Sequence, residues 1–261
     1  MNVKTIPITK HKKGESFPLI DSVAQEEPLE IRIEGRSVAV IMRSPDIKQD
    51  IELVTGFLCT EGVIEDYSDI QAIAHLVEPS NPQYNTIDII LSSGVPAKQR
   101  HKADRTFFAS SSCGICGKAT QERILQYFPP ITTKINISID ILCTFPEKIR
   151  KQQAIFQQTG GLHAAALFTS DGELLVLRED IGRHNAVDKI VGWALKKDQD
   201  CSDLILFVSG RVAFEIAQKT LGAQIPVLAA IGAPSSMAVE FCKKAGVQLF
   251  GFVQKERCNE Y

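Results

Sequence analysis

Cys113 and Cys116 stand three positions apart in Ser110-Ser111-Ser112-Cys113-Gly114-Ile115-Cys116-Gly117. A thiolate, not a thiol, is the nucleophile, and cations or a helix N-terminus favour it. Lys98, Arg100, Lys102 and Arg105 lead up to the pair and Lys118 follows it, against the single acid Asp104. Three chemistries fit the spacing: a redox disulfide, half of a metal site, or a nucleophile that carries sulfur as a persulfide. The bland alternative is two small thiols on a glycine-rich turn, and Phe107-Phe108 just before the pair weigh against a merely solvated loop. A zinc site takes about four ligands. The other cysteines, Cys59, Cys143, Cys201, Cys242 and Cys258, are scattered and form no second CxxC. A zinc ribbon is therefore excluded, and no bound metal is expected.

Further polar groups lie in the second half of the chain. Gly160-Gly161-Leu162-His163-Ala164-Ala165 resembles the H-x-E opening of a zinc deaminase, but Ala165 occupies the glutamate position. Without that acid/base and without P-C-x-x-C, deaminase chemistry is missing its parts. His163 is read as structural first and substrate-positioning second. Arg178-Glu179-Asp180-Ile181-Gly182-Arg183-His184-Asn185 offers a ligand wall: Asp180 and Arg183 for a guanine edge or ribose, His184 for a phosphate. Its plain alternative is a turn with Asn185 as helix N-cap. Ser209-Gly210-Arg211 and Pro234-Ser235-Ser236 each end a strand and open a helix, where N–H groups and a guanidinium suit an anion. Phe252-Val253-Gln254-Lys255-Glu256-Arg257 either closes over such a ligand or is a solvated tail.

The elements that would hold these groups follow from periodicity. Residues 29–42 predict a hairpin, 44–62 a helix, and 70–76 and 86–91 two strands. Residues 118–128 read as a helix, and Pro129-Pro130 mark a break. Residues 138–158 predict one helix. Beyond it lie strands at 163–168 and 173–178 and a helix from Asn185 to Lys196. Strands at 204–208, 227–231 and 248–252 then alternate with helices at 212–221 and 235–244. That alternation predicts a largely parallel sheet covered on both faces, with ligands beyond the carboxyl ends of its strands. Two units are expected, residues 1–135 and 136–261. Residues 98–112 are expected to order poorly without a partner, having little apolar content to bury.

Composition bounds the function. The chain has 261 residues, 44% of them hydrophobic, and a formal net charge of −2. That suffices for a large core and gives no bulk polycation for nucleic acid. No apolar run nears the roughly 18 residues that cross a bilayer, and the first sixteen residues show no secretory h-region. The expectation is a cytoplasmic protein in which Cys59, Cys143, Cys201 and Cys242 are free and buried, with no nucleic-acid or membrane partner.

Together these segments resemble the formate dehydrogenase accessory sulfurtransferase family. The resemblance rests on GFLCTEGVI (56–64), SSCGICGK (111–118), GGLHAAAL (160–167), REDIGRHNAVDKIVG (178–192), VSGRVAFEI (208–216), AAIGAPSSMAVE (229–240) and GFVQK (251–255). It implies an α/β fold with a cytidine-deaminase-like mixed sheet flanked by helices and a smaller α+β N-terminal unit. It also implies a homodimer that takes sulfur from a cysteine desulfurase as a Cys113 persulfide, with Cys116 holding, relaying or only supporting. The sulfur would pass to a bound substrate, the Mo-bis(molybdopterin guanine dinucleotide) cofactor of the formate dehydrogenase catalytic subunit. Phe252 to Arg257 match the family's cofactor-binding segment. The alternatives are a non-catalytic chaperone for that cofactor and, more weakly, a thiol-disulfide oxidoreductase.

Overall fold

The computed structural model describes residues 2–77, 84–96, 124–125 and 127–261. Strands β1 (Val3–Lys12) and β2 (Glu15–Ala24) pair along their whole length as a mostly exposed ribbon. The turn between them places Lys13 and Gly14 at positive φ. Strands β3 (Glu27–Ile33) and β4 (Arg36–Arg43) form the expected hairpin, and helix α1 (Ile47–Thr60) follows. Asp46 caps α1 by accepting from the N–H groups of Lys48 and Gln49, which satisfies donors that have no partner within the helix. Strands β5 (Ile70–His75) and β6 (Thr86–Leu91) complete a four-stranded sheet in the order β4-β3-β6-β5.

The single helix expected over 138–158 is three short ones: α2 (Ile139–Leu142), α3 (Phe145–Gln152) and α4 (Ala154–Thr159). Pro146 sits in the first turn of α3, and Gln153 leaves the helical region at φ −80°, ψ 70°. A proline tolerates an entry but not an interior, and that divides the run. Next come β7 (His163–Phe168), β8 (Leu174–Asp180) and α5 (Arg183–Lys196). The chain then alternates through β9 (Ile205–Val208), α6 (Phe214–Gly222), β10 (Val227–Ala230), α7 (Ser236–Ala245) and β11 (Gln248–Gln254), and ends in β12 (Arg257–Glu260). The second sheet runs β12-β11-β10-β9-β7-β8. Only β9, β10 and β11 are parallel neighbours; β7, β8 and β12 join antiparallel, so the sheet is mixed rather than largely parallel. Residues 252–257 are accordingly a β11–β12 hairpin and not a loose tail.

Both faces of this sheet are covered, which explains its unbroken apolar strands. Ala165, Leu167, Leu206, Val208, Leu228 and Leu249 point to one core with α1, α5, α6 and α7. Ala166, Phe168, Ile205, Phe207, Val227 and Phe250 point to the other, under α2 and α3. There Phe145 stacks on Phe168 with ring centroids 3.8 Å apart. The first core does not stop near residue 135: it also takes in Leu29, Ile31, Leu53, Leu58, Ile87 and Ile89. The join is the crossing of α1 and α5. A Cβ on Gly56 would fall 1.8 Å from the Asp188 carbonyl oxygen, and one on Gly192 would fall 1.8 Å from that of Glu52. No side chain fits at either point.

Gly192→Ala must therefore push two helix backbones apart through a filled core. Overpacking costs about 1–3 kcal/mol where side chains can shift, and more where only backbone faces the new atom. Urea unfolding is expected to show a loss of more than about 3 kcal/mol.

Candidate functional site

A cleft of about 920 Å³ opens beyond the carboxyl ends of the three parallel strands. Ser209 ends β9, Ile231 follows β10, and Val253, Gln254 and Lys255 close β11. The facing wall comes from Cys143, Pro146, Arg150, Gln153 and Phe156, and Gly160 to His163 form the edge between the two walls. The location is the one expected of an α/β sheet. Glu179 fixes the second wall: its carboxylate accepts from the N–H groups of Ile155 (3.2 Å) and Phe156 (2.9 Å), capping α4. Burial still raises the Glu179 pKa despite those bonds. Gly160 takes the left-handed conformation (φ 67°) that ends α4 and turns the chain into β7.

Most of the 178–185 loop is occupied elsewhere. Asp180 was expected at a guanine edge, and the structure corrects this. It is fully buried, with Oδ1 accepting from Gly182 N and Asn185 Nδ2 (both 2.9 Å) and Oδ2 from Ser44 N at 3.2 Å. Lys189 Nζ lies 2.7 Å from Oδ2 and also donates to the Glu179 carbonyl at 3.0 Å. No oxygen is left for a ligand. Asn185 is not the N-cap: Gly182 holds that position, and Asn185 instead donates to the Met42 carbonyl at 2.7 Å. Asp188 and Lys189 are buried. Arg178 reaches across to Glu52 with a two-pronged contact at 2.6 and 2.9 Å. Asp188 accepts from Lys219 and Thr60, both at 2.9 Å. The loop thus ties β4 and α1 to the larger sheet, a role hidden from the sequence because its partners lie more than a hundred positions away.

Arg183 and His184 are different. Arg183 Nε and His184 Nε2 are buried and make no hydrogen bond with any described residue. They open α5 at an N-terminus without a side-chain cap. Beside them, a Cβ at Gly210 would lie 3.3 Å from His163 Nδ1 and 3.8 Å from Arg183 Cβ. His163, the Gly210 turn and the start of α5 therefore meet at the cleft's edge. Burial, then Arg183, Lys219 and His163, hold the His184 pKa down to about 4. Burial and the neighbouring Arg183 lower that of His163, with Asp180 opposing. At His163 the cations Arg183 and Arg211 stand against the one acid Asp180.

The remaining expected residues divide. Ser209, Val253, Gln254 and Lys255 line the cleft. Ser209 Oγ also accepts from Ala164 N at 2.8 Å, pinning β9 to β7. Arg211 is exposed next to Gly210. The two βα turns do meet, but their N–H groups largely bond each other: Val212 to Ala233, Gly232 to Gly210 and Ser235 to Val212. Ser235 caps α7 through Ala238 N, and Ser235 and Ser236 are exposed and absent from the cleft wall. Phe252 (φ 53°), Glu256 and Arg257 are exposed on the hairpin, where Arg257 donates to Gln254 at 3.0 Å. Arg150, Gln153 and Phe156 line the cleft without having been singled out as binding residues, and His163, read as structural first and substrate-positioning second, lines it with them. Only His163 had a local signal, the double glycine before it. Among the described residues no three His, Cys, Asp or Glu groups converge on a metal site, and no helix is long and apolar enough to cross a membrane. Cys113, Cys116 and the basic segment 98–112 lie outside the described residues.

A mixed α/β sheet with a cleft beyond the carboxyl ends of its parallel strands is the class of protein that fold and site define. Residues 24–261 match the model of the FdhD/NarQ family, and the chain belongs to that family. It is 44% identical over 260 residues to a protein of Mycolicibacterium paratuberculosis named sulfur carrier protein FdhD, covering 97% of this chain and 94% of the relative. A protein of the same name from Sulfolobus acidocaldarius is 39% identical, covering 100% and 97%. The fold is similar to a crystal structure described as a formate dehydrogenase accessory protein from Desulfotalea psychrophila, with TM-score 0.76, 23% identity and coverage of 100% and 96%.

Two outcomes follow from the site. Asp180→Ala strands a fully buried lysine, so it is expected to destabilise by about 3–5 kcal/mol in denaturant unfolding. The second concerns His184. Its pKa is depressed from 6.5 to about 4. The unfolded chain therefore binds the proton first, and the stability due to the neutral ring is lost as pH falls from about 6.5 through about 4. An NMR titration of His184 should show a neutral ring at pH 5.5.

Proposed function

We propose that this chain is a sulfur carrier that serves formate dehydrogenase. The carrying observation is its 39–44% identity over nearly its whole length to proteins named sulfur carriers. In this reading the Cys113 thiolate attacks the outer sulfur of a cysteine desulfurase persulfide. It takes that sulfur, and the donor cysteine leaves as a thiolate. The acceptor, the Mo-bis(molybdopterin guanine dinucleotide) held as substrate, then supplies the electron pair that takes the outer sulfur, and Cys113 leaves as a thiolate, with Cys116 holding, relaying or only supporting. The chemistry of the other thiols supports Cys113. Burial pushes Cys59, Cys201 and Cys242 up to about 12, and so keeps them as unreactive thiols at neutral pH. The cleft supports the second half. Lys255, Arg150, Arg183, His163 and His184 supply cationic and hydrogen-bonding groups for phosphates, and Ser209, Val253 and Gln254 supply its floor. Asp180 has no role toward the ligand. A cytoplasmic homodimer completes the proposal.

Wild-type protein incubated with a desulfurase and cysteine is expected to gain one sulfur atom on Cys113 by mass spectrometry. Cys113→Ala should lose both that gain and the activation of formate dehydrogenase while keeping its circular dichroism. Activation by Cys113→Ala, or by fully alkylated protein, would mean that the chain is a cofactor chaperone and not a carrier.

GDP, a surrogate for one arm of the cofactor, should bind the cleft. Lys255→Ala and Arg150→Ala should each weaken it about tenfold in calorimetry, the usual loss for one charged hydrogen bond. GDP affinity unchanged in both variants would remove the cleft assignment and leave Cys113 untouched.

A further inference from the structure

Cys143 lines the cleft, and Cys258 lies behind it. Cys143 follows α2 and is part of the cleft wall made by α2, α3 and α4. Cys258 lies in β12, the edge strand of the larger sheet, and packs against the apolar cluster that contains Leu142, Phe145 and Val253. Cys143 follows Leu142 of that cluster, so the two thiols are neighbours close enough for each to act on the other, and the backbone of Arg257 also approaches Cys143. Among the described residues no other strand flanks β12 on its outer side, and its pairing with β11 slips between Gly251 and Gln254. Both thiols are free.

We propose that Cys143 and Cys258 are a second reactive sulfur site, a dithiol that closes to a disulfide and braces one cleft wall against the β11–β12 hairpin. The oxidant is a low-molecular-weight disulfide of the glutathione class. The Cys143 thiolate, reached through the cleft, attacks one sulfur of that disulfide and forms a mixed disulfide. One thiolate of the oxidant leaves. Cys258 then loses its proton to solvent and attacks the Cys143 sulfur, and the second thiolate leaves. Two protein thiols are oxidised and one small disulfide is reduced to two thiols. Burial raises both thiol pKa values above the ordinary one, so closure accelerates as pH rises above neutral. The brace would link residues 143 and 258 without involving Cys113, and it stands whether or not the sulfur-carrier reading does.

The test uses the full chain carrying Cys113→Ser and Cys116→Ser, which removes the CxxC from the redox chemistry. After incubation with oxidised glutathione, peptide mapping under non-reducing conditions should recover the Cys143 and Cys258 peptides joined. Cys59, Cys201 and Cys242 should remain free. Adding Cys258→Ser should trap Cys143 as its mixed disulfide with glutathione. Amide hydrogen exchange at 254–258 should slow severalfold in the oxidised protein and recover on reduction. Cys143 and Cys258 remaining unlinked at an oxidant level that joins other cysteines would overturn the proposal. So would a Cys258→Ser protein in which Cys143 takes up no glutathione.

Discussion

Helices α1 and α5 touch backbone to backbone because Gly56 and Gly192 put no atom between them. The charged groups around this contact could not be buried without it. Once the helices meet, Glu52 faces Arg178, Thr60 and Asp188 face Lys219, and Ser44 reaches Asp180. Each bridge links an early element to a late one. An unpaired buried charge is costly, so the bridges make the docking selective: a shifted helix would strand several charges at once. The two sheets are therefore parts of one packed body whose apolar cluster runs from Leu29 to Leu249.

That docking also shapes the site. Asp180 and Lys189 lock the start of α5, which leaves Arg183 and His184 beside the Gly210 turn and His163. Glu179, the residue before Asp180, points the opposite way along β8 and caps α4, which carries Phe156 into the cleft wall. Alternate strand residues face opposite sides. One short segment thus serves the joint between the sheets on one side and the cleft on the other. The polar density that looks like a ligand wall is mainly a structural joint, and the two groups left without partners are those that remain at the site.

The cleft and the thiol chemistry are separable in sequence and chemistry. The cleft belongs to the carboxyl ends of β9, β10 and β11, where strand ends and helix starts converge. The buried cysteines belong to the cores. Cys143 and Cys258 alone combine a place at the cleft region with mutual contact among the described thiols.

The sequence by itself determined the elements whose signals are local. The 29–43 hairpin, α1 with its Asp46 cap, and the βα alternation from β9 to β11 all follow from periodicity and turn residues that lie within a few positions of one another. It also determined the family motifs and the CxxC. Pro146 was present as a local signal too, but α2, α3 and α4 were still read as one helix because their apolar period runs through. Tertiary structure alone decided the rest. The family resemblance implied a mixed sheet, but which strands join antiparallel (β7, β8 and β12) is set by packing, since the strand residues alone do not specify it. The fate of Asp180 depends on Ser44, 136 positions away, and on a lysine about two helix turns past the cap. A carboxylate reads the same in sequence whether it meets a ligand or a buried ammonium. Which it meets is set by the partners that long-range packing brings within 3 Å, and that packing rests on two glycines whose role appears only when their helices cross.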